Sequence, residues 1–142
     1  TLQNRLTEQD YEVARLLNKV LESGRPSSAL GKSVKELVEE HGMDLQRMNR
    51  LLAIVRMVDQ RVGEYQKQEF KPAKPLSIER IVSLDYMKLY ELTFYQKLTN
   101  RQFEQALQRI ESEKEGFRPL QKWMEAKFGK NRSRRKPSKK QV

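Results

Sequence analysis

Three tetrapeptides of one grammar punctuate this chain, and together they restrict it to helices. Thr7-Glu8-Gln9-Asp10, Ser33-Val34-Lys35-Glu36 and Thr99-Asn100-Arg101-Gln102 each set a hydroxyl three residues ahead of an acid or amide. In such a capping box the hydroxyl accepts from the third helical amide while the acid or amide reaches back. Apolar residues at spacings of three and four follow, as a helix with one buried face requires. After Thr7 they are Val13, Leu16, Leu17, Val20 and Leu21, closed by Ser23-Gly24-Arg25-Pro26. Ser33 opens a short helix to about Glu40, and His41-Gly42-Met43 makes a turn. Asp44 caps a much longer helix whose stripe is Met48, Leu51, Leu52, Val55, Val58 and Val62, with Arg47, Arg50, Arg56 and Arg61 beside it. Its end falls between Gly63 and Glu69.

Lys71-Pro72-Ala73-Lys74-Pro75 cannot continue a helix and reads as an extended connector. Ser77 caps the segment from Ile78 to Leu98, which suits one helix or two separated near Leu84-Asp85. The alternation of Tyr90, Leu92 and Phe94 leaves a strand, the wing of a winged helix, as an alternative there, without a hairpin turn to support it. Tyr86, Tyr90, Phe94 and Tyr95 are spaced for a helix core, with a base-stacking platform the lesser alternative. The third box opens a helix with Phe103, Ala106, Leu107 and Ile110 inward, and Phe117, Leu120, Trp123, Met124 and Phe128 form a last amphipathic helix. The expected fold is all-α: a compact multi-helix domain over residues 1–129 containing a helix-turn-helix at 33–56. A basic tail, 130–142, follows and stays disordered until something anionic orders it.

The net charge of +10 is unevenly spread. Residues 130–142 hold seven Lys/Arg and no acid, whereas residues 1–129 hold 22 basic residues against all 19 acids. There is no cysteine, so disulfides and zinc-thiolate sites are excluded, and no apolar run approaches the ~20 residues that span a bilayer. A cytoplasmic location is expected. The lone His41 has no nucleophile pattern near it, and Glu39-Glu40 and Glu111/Glu113/Glu115 read as solvated faces. Neither a glycine-rich phosphate loop nor a metal-ligand spacing is present. The expectation is therefore a protein that is not an enzyme, with no cofactor, no metal, no small-molecule substrate and no membrane partner.

The segment from Val34 to Ala53 matches a twenty-residue helix-turn-helix, with Gly42 in the turn and Leu37, Val38, Met43, Met48 and Leu51 inward. Val38 is larger than the small residue usual at its place. If the second helix enters a major groove, Gln46, Arg47, Asn49 and Arg50 supply base-reading chemistry: arginine forks onto guanine, and glutamine or asparagine onto adenine. Lys32, Ser33 and Lys35 stand where the first helix would cross the phosphates, and Arg56 follows on the second. In the tail, Lys130, Arg132, Arg134, Arg135 and Lys136, with Lys139 and Lys140 beyond them, suit phosphates without base specificity.

The run from Glu22-Ser23-Gly24-Arg25 through Ala29-Leu30 and Ser33-Val34-Lys35-Glu36-Leu37-Val38-Glu39-Glu40-His41-Gly42 to Met48-Asn49-Arg50-Leu51-Leu52, with Leu98-Thr99-Asn100-Arg101-Gln102 later, resembles the central DNA-binding region of ParB-type partition proteins. The resemblance spans roughly residues 10–112. That family's arginine-rich nucleotide-binding domain has no counterpart within these residues, and the 71–75 connector is atypical of it. The resemblance implies sequence-specific binding, as a homodimer, to an inverted repeat of double-stranded DNA. The expected function is thus duplex DNA binding in plasmid or chromosome partition or in transcriptional regulation. The competing expectation is a helical protein-interaction adaptor whose basic tail binds RNA or an acidic partner.

Overall fold

The computed structural model describes residues 6–23, 36, 39, 40, 42, 44–112 and 115–132. Among these the chain is all-α, and the strand considered around residues 90–94 is absent. Six helices follow in order: α1 (Glu8–Ser23), α2 (Leu45–Lys67), α3 (Ile78–Val82), α4 (Tyr86–Leu92), α5 (Asn100–Glu111) and α6 (Phe117–Phe128). A 3-10 turn, Gly129–Asn131, follows α6. The expected helix from Ser33 falls mostly outside the described residues, although Glu36, Glu39 and Glu40 are helical.

Side-chain caps set these boundaries. Thr7 Oγ1 accepts from the Asp10 amide at 3.0 Å, Asp44 Oδ1 from the Arg47 amide at 2.7 Å, and Ser77 Oγ from the Arg80 amide at 3.2 Å. Asp85 accepts from the amides of both Met87 and Lys88, so it starts α4 and divides the 78–98 segment into two helices. At α5 both halves of the capping box form, with the Gln102 amide donating to Thr99 Oγ1 and Gln102 Oε1 accepting from the Thr99 amide.

α2 is the spine, roughly 35 Å long at 1.5 Å per residue. It packs against α1, α4 and α5, while α6 covers α4. Because it is enclosed on more than one side, it buries Ile54 as well as the expected Met48, Leu51, Leu52, Val55 and Val58. α1 buries Tyr11, Ala14, Leu17 and Asn18, whereas Leu16 is 61% exposed. The inward face is thus rotated from the one its aliphatic residues suggest, because Tyr11 brings more apolar area than Leu16 and a polar Asn18 is held by a partner on α2.

α2 ends in a Schellman arrangement without glycine. The Phe70 amide donates to the Tyr65 carbonyl at 2.8 Å and the Glu69 amide to the Gln66 carbonyl at 3.2 Å. The rings of Tyr65 and Phe70 meet at 4.8 Å, which supplies the accompanying apolar contact. Glu69 must therefore adopt φ 52°, a left-handed conformation that side chains other than glycine occupy at a cost. Glu69→Gly is expected to stabilise the fold by about 0.5–1 kcal/mol, since it relieves that strain and removes an acid from a helix C-terminus. Thermal denaturation of the two chains checks this; an unchanged or lower midpoint contradicts it.

Candidate nucleic-acid interface

The residues expected to read bases lie on the first two turns of α2. Gln46 is exposed and Asn49 is half-buried. Arg47 and Arg50 turn toward the body instead of projecting freely. The Arg47 guanidinium lies over the Tyr86 ring, 4.8 Å from its centroid, and 3.9 Å from Asp10 of α1. The Arg50 guanidinium lies over the Tyr90 ring at 5.6 Å and donates to Met87 Sδ at 3.7 Å.

Arg56, expected on phosphates, donates from Nε to Asn18 Oδ1 at 2.8 Å and so ties α2 to α1. Burial pushes its pKa down, against the raising effect of Glu22. Of the turn between the two expected helices, Gly42 is described: its φ is 68°, where a Cβ would be strained, and its amide donates to the Glu39 carbonyl at 2.9 Å. Lys32, Ser33 and Lys35 lie outside the described residues, as do Arg134, Arg135 and Lys136. Lys130 is exposed in the 3-10 turn that follows α6.

Arg132 occupies a place that its tail position did not foretell. It forms an isolated antiparallel bridge with Tyr95, pairs with Glu91 at 3.5 Å, and lays its guanidinium 4.7 Å from the centroid of the Phe94 ring. The tail's root is thereby clasped to the end of α4. Above it, α6 docks on the body through Leu120, Met124 and Phe128 and leaves Arg118, Lys122 and Lys127 exposed. Trp123 is half-buried between the Arg109 guanidinium at 4.5 Å and the Lys127 ammonium at 5.4 Å from its ring.

The charge follows this anatomy. From Phe117 onward the sequence carries ten Lys/Arg and a single acid, Glu125. That is a net +9 of the chain's +10, so α6 belongs with the tail and the rest of the chain is close to neutral.

Other polar clusters tie elements together. Arg61 is buried, donates to the Leu98 carbonyl and Asn100 Oδ1, both at 2.9 Å, and stacks on Phe103. Arg80 bonds Glu104 and Glu111 at the base of the connector. An open groove of about 650 Å³ runs between the end of α2 and the connector, walled by Tyr65, Phe70, Pro72 and Leu76, and its rim groups Gln66, Glu69 and Lys71 form no convergent set. Among the described residues no three acidic, histidine or cysteine side chains are placed to share a metal ion, and no helix is long and apolar enough to cross a membrane. No protein-family model, curated protein or solved structure matches the chain.

Sequence reasoning missed the partners of Arg47 and Arg50, which lie on α4 some 40 residues away. One signal was available: Tyr86, Tyr90 and Phe94 recur every four residues, a stripe too regular for a surface helix unless something covers it.

Proposed function

We propose that this protein binds double-stranded DNA, with most of the affinity coming from phosphate contacts made by α6 and the basic tail. The observation that carries the reading is the net +9 of the sequence from Phe117 onward, of which Arg118, Lys122 and Lys127 stand exposed on α6. Such a cluster gains free energy by releasing condensed counterions from the duplex, at one ion or slightly less per phosphate contacted. The near-neutral remainder leaves the basic end to set the approach.

Base readout is the second part of the proposal and rests on the start of α2. Gly42 at φ 68° and the Asp44 cap favour a tight turn into that helix, and the exposed Gln46 with the half-buried Asn49 would supply the amide groups that read adenine. A two-fold homodimer on an inverted repeat would double that short reading surface, and either partition or transcriptional control would use it.

Binding of a fluorescent duplex to the full chain, measured at several salt concentrations, tests the first part. A steep fall in affinity with salt is expected. The double substitution Arg118→Gln/Lys122→Gln should reduce the slope of log K against log salt by about 2, at ~0.9 per lost contact. Absence of binding even at low salt would defeat the proposal. Selection from random duplexes tests the second part, with an inverted-repeat consensus expected and an unselective pool counting against it.

A further inference from the structure

Tyr86, Tyr90 and Phe94 stand four residues apart along α4 and the turn that continues it, where the Phe94 amide donates to the Glu91 carbonyl. At this spacing they form one row, with successive rings about 6 Å apart along the helix. Each ring carries an arginine on its face: Arg47 on Tyr86, Arg50 on Tyr90 and Arg132 on Phe94. Two come from α2 and the third from the root of the tail, so three distant parts of the sequence converge on one line.

We infer that this arginine row is a phosphate track, along which a strand of the duplex passes from the tail's root to the start of α2. The inference rests on the proposed function and adds a path to it. A guanidinium held over a ring face still has N–H edges that phosphate oxygens can accept in pairs, and the ring contact restricts its position before the ligand arrives. All three arginines keep part of their surface open to solvent. Arg47 also lies 3.9 Å from Asp10, Arg132 pairs with Glu91 at 3.5 Å, and Arg50 donates to Met87 Sδ at 3.7 Å. Among the described residues no carboxylate lies within 4.0 Å of Arg50, so its charge meets only sulfur and ring electrons. Such a half-buried cation gains from an incoming anion more than one already held by a close carboxylate. The row also joins the two surfaces that the proposed function uses.

The test is the salt dependence of binding to a fluorescein-labelled 20-base-pair duplex by full-length Arg47→Gln, Arg50→Gln and Arg132→Gln variants and by the triple variant, with the melting midpoint of each recorded. Each single substitution is expected to lower the slope by about 0.9 and the triple by nearly 3. A triple variant that melts lower but keeps the parental slope would overturn the track, the arginines then serving only to cover the rings. The proposed function survives that result if Arg118→Gln/Lys122→Gln still lowers the slope, and fails with the track if the unaltered chain binds no duplex. Should the triple variant fail to fold, phenylglyoxal modification of the unaltered chain decides. Protection of Arg47, Arg50 and Arg132 by the duplex, relative to Arg15 on α1, supports the track, and equal modification with and without duplex refutes it.

Discussion

Arg80→Ala is expected to cost the folded chain about 3–5 kcal/mol, lowering the thermal midpoint by roughly 10–20 °C. Arg80 and Glu104 keep only 6% and 7% of their side-chain surface exposed. The Arg80 guanidinium bonds Glu104, reaches Glu111 at 2.6 Å from Nη2 and at 3.1 Å from Nε, and donates from Nη1 to the Lys74 carbonyl at 2.9 Å. Tyr65 donates its hydroxyl to the other oxygen of Glu104 at 2.7 Å. One side chain thus joins the connector, α3, α5 and the end of α2. Removing it strands a carboxylate in the interior, and that stranded charge accounts for most of the expected loss. Arg80→Met combined with Glu104→Leu should cost less than Arg80→Ala alone, because it removes both charges together. Chemical denaturation checks both, and a loss below 1 kcal/mol for Arg80→Ala would show that water reaches Glu104.

The same cluster gives an acid response of definite sign. Burial pushes the Glu111 carboxyl up, but the hydrogen bond and charge of Arg80, followed by those of Lys74, outweigh it and hold the pKa below its ordinary value of 4.5. The unfolded chain therefore takes up the proton first. The contribution of Glu111 is fully present above about pH 4.5 and is lost as pH falls through the lower folded value. Glu111→Gln should flatten that part of the stability curve.

Cutting the chain after Arg132 is expected to weaken duplex binding by about 10²-fold to 10³-fold near 0.1 M salt, with little change in melting. The cut removes Arg134, Arg135, Lys136, Lys139 and Lys140 but leaves the Tyr95–Arg132 clasp and the α6 docking residues. At ~0.9 per contact the salt slope should fall by about 4 to 5. A shortened chain that binds as tightly as the full one would move the electrostatic contribution onto α6 and the arginine row.

The helices were legible wherever a cap and an apolar period coincided. Asp44, Ser77 and Thr99 fixed three starts to the residue, and Asp85 marked the break between α3 and α4, because these signals are local and their partners lie two or three residues away. The inward face of α1 was less legible. Its aliphatic residues allow two rotations, and the choice depends on Asn18 meeting Arg56 across 38 residues. The same limit applied at the interface. Charge and residue type marked Arg47, Arg50 and Arg132 as candidates for nucleic-acid contact, but a row of rings that gathers them exists only once α4 lies beside α2 and the end of α6. Ion pairs such as Arg80 with Glu111 join elements too far apart for spacing to reveal.

The clasp at Arg132 also decides how tension enters the molecule. A polyanion holding residues 133–142 pulls first on the bridge to Tyr95 and on the Glu91 pair, at the end of α4. α6 lies on the body side of that bridge and is shielded from being peeled away from its last turn. A load on the tail is therefore delivered to α4, which rests directly on the spine helix.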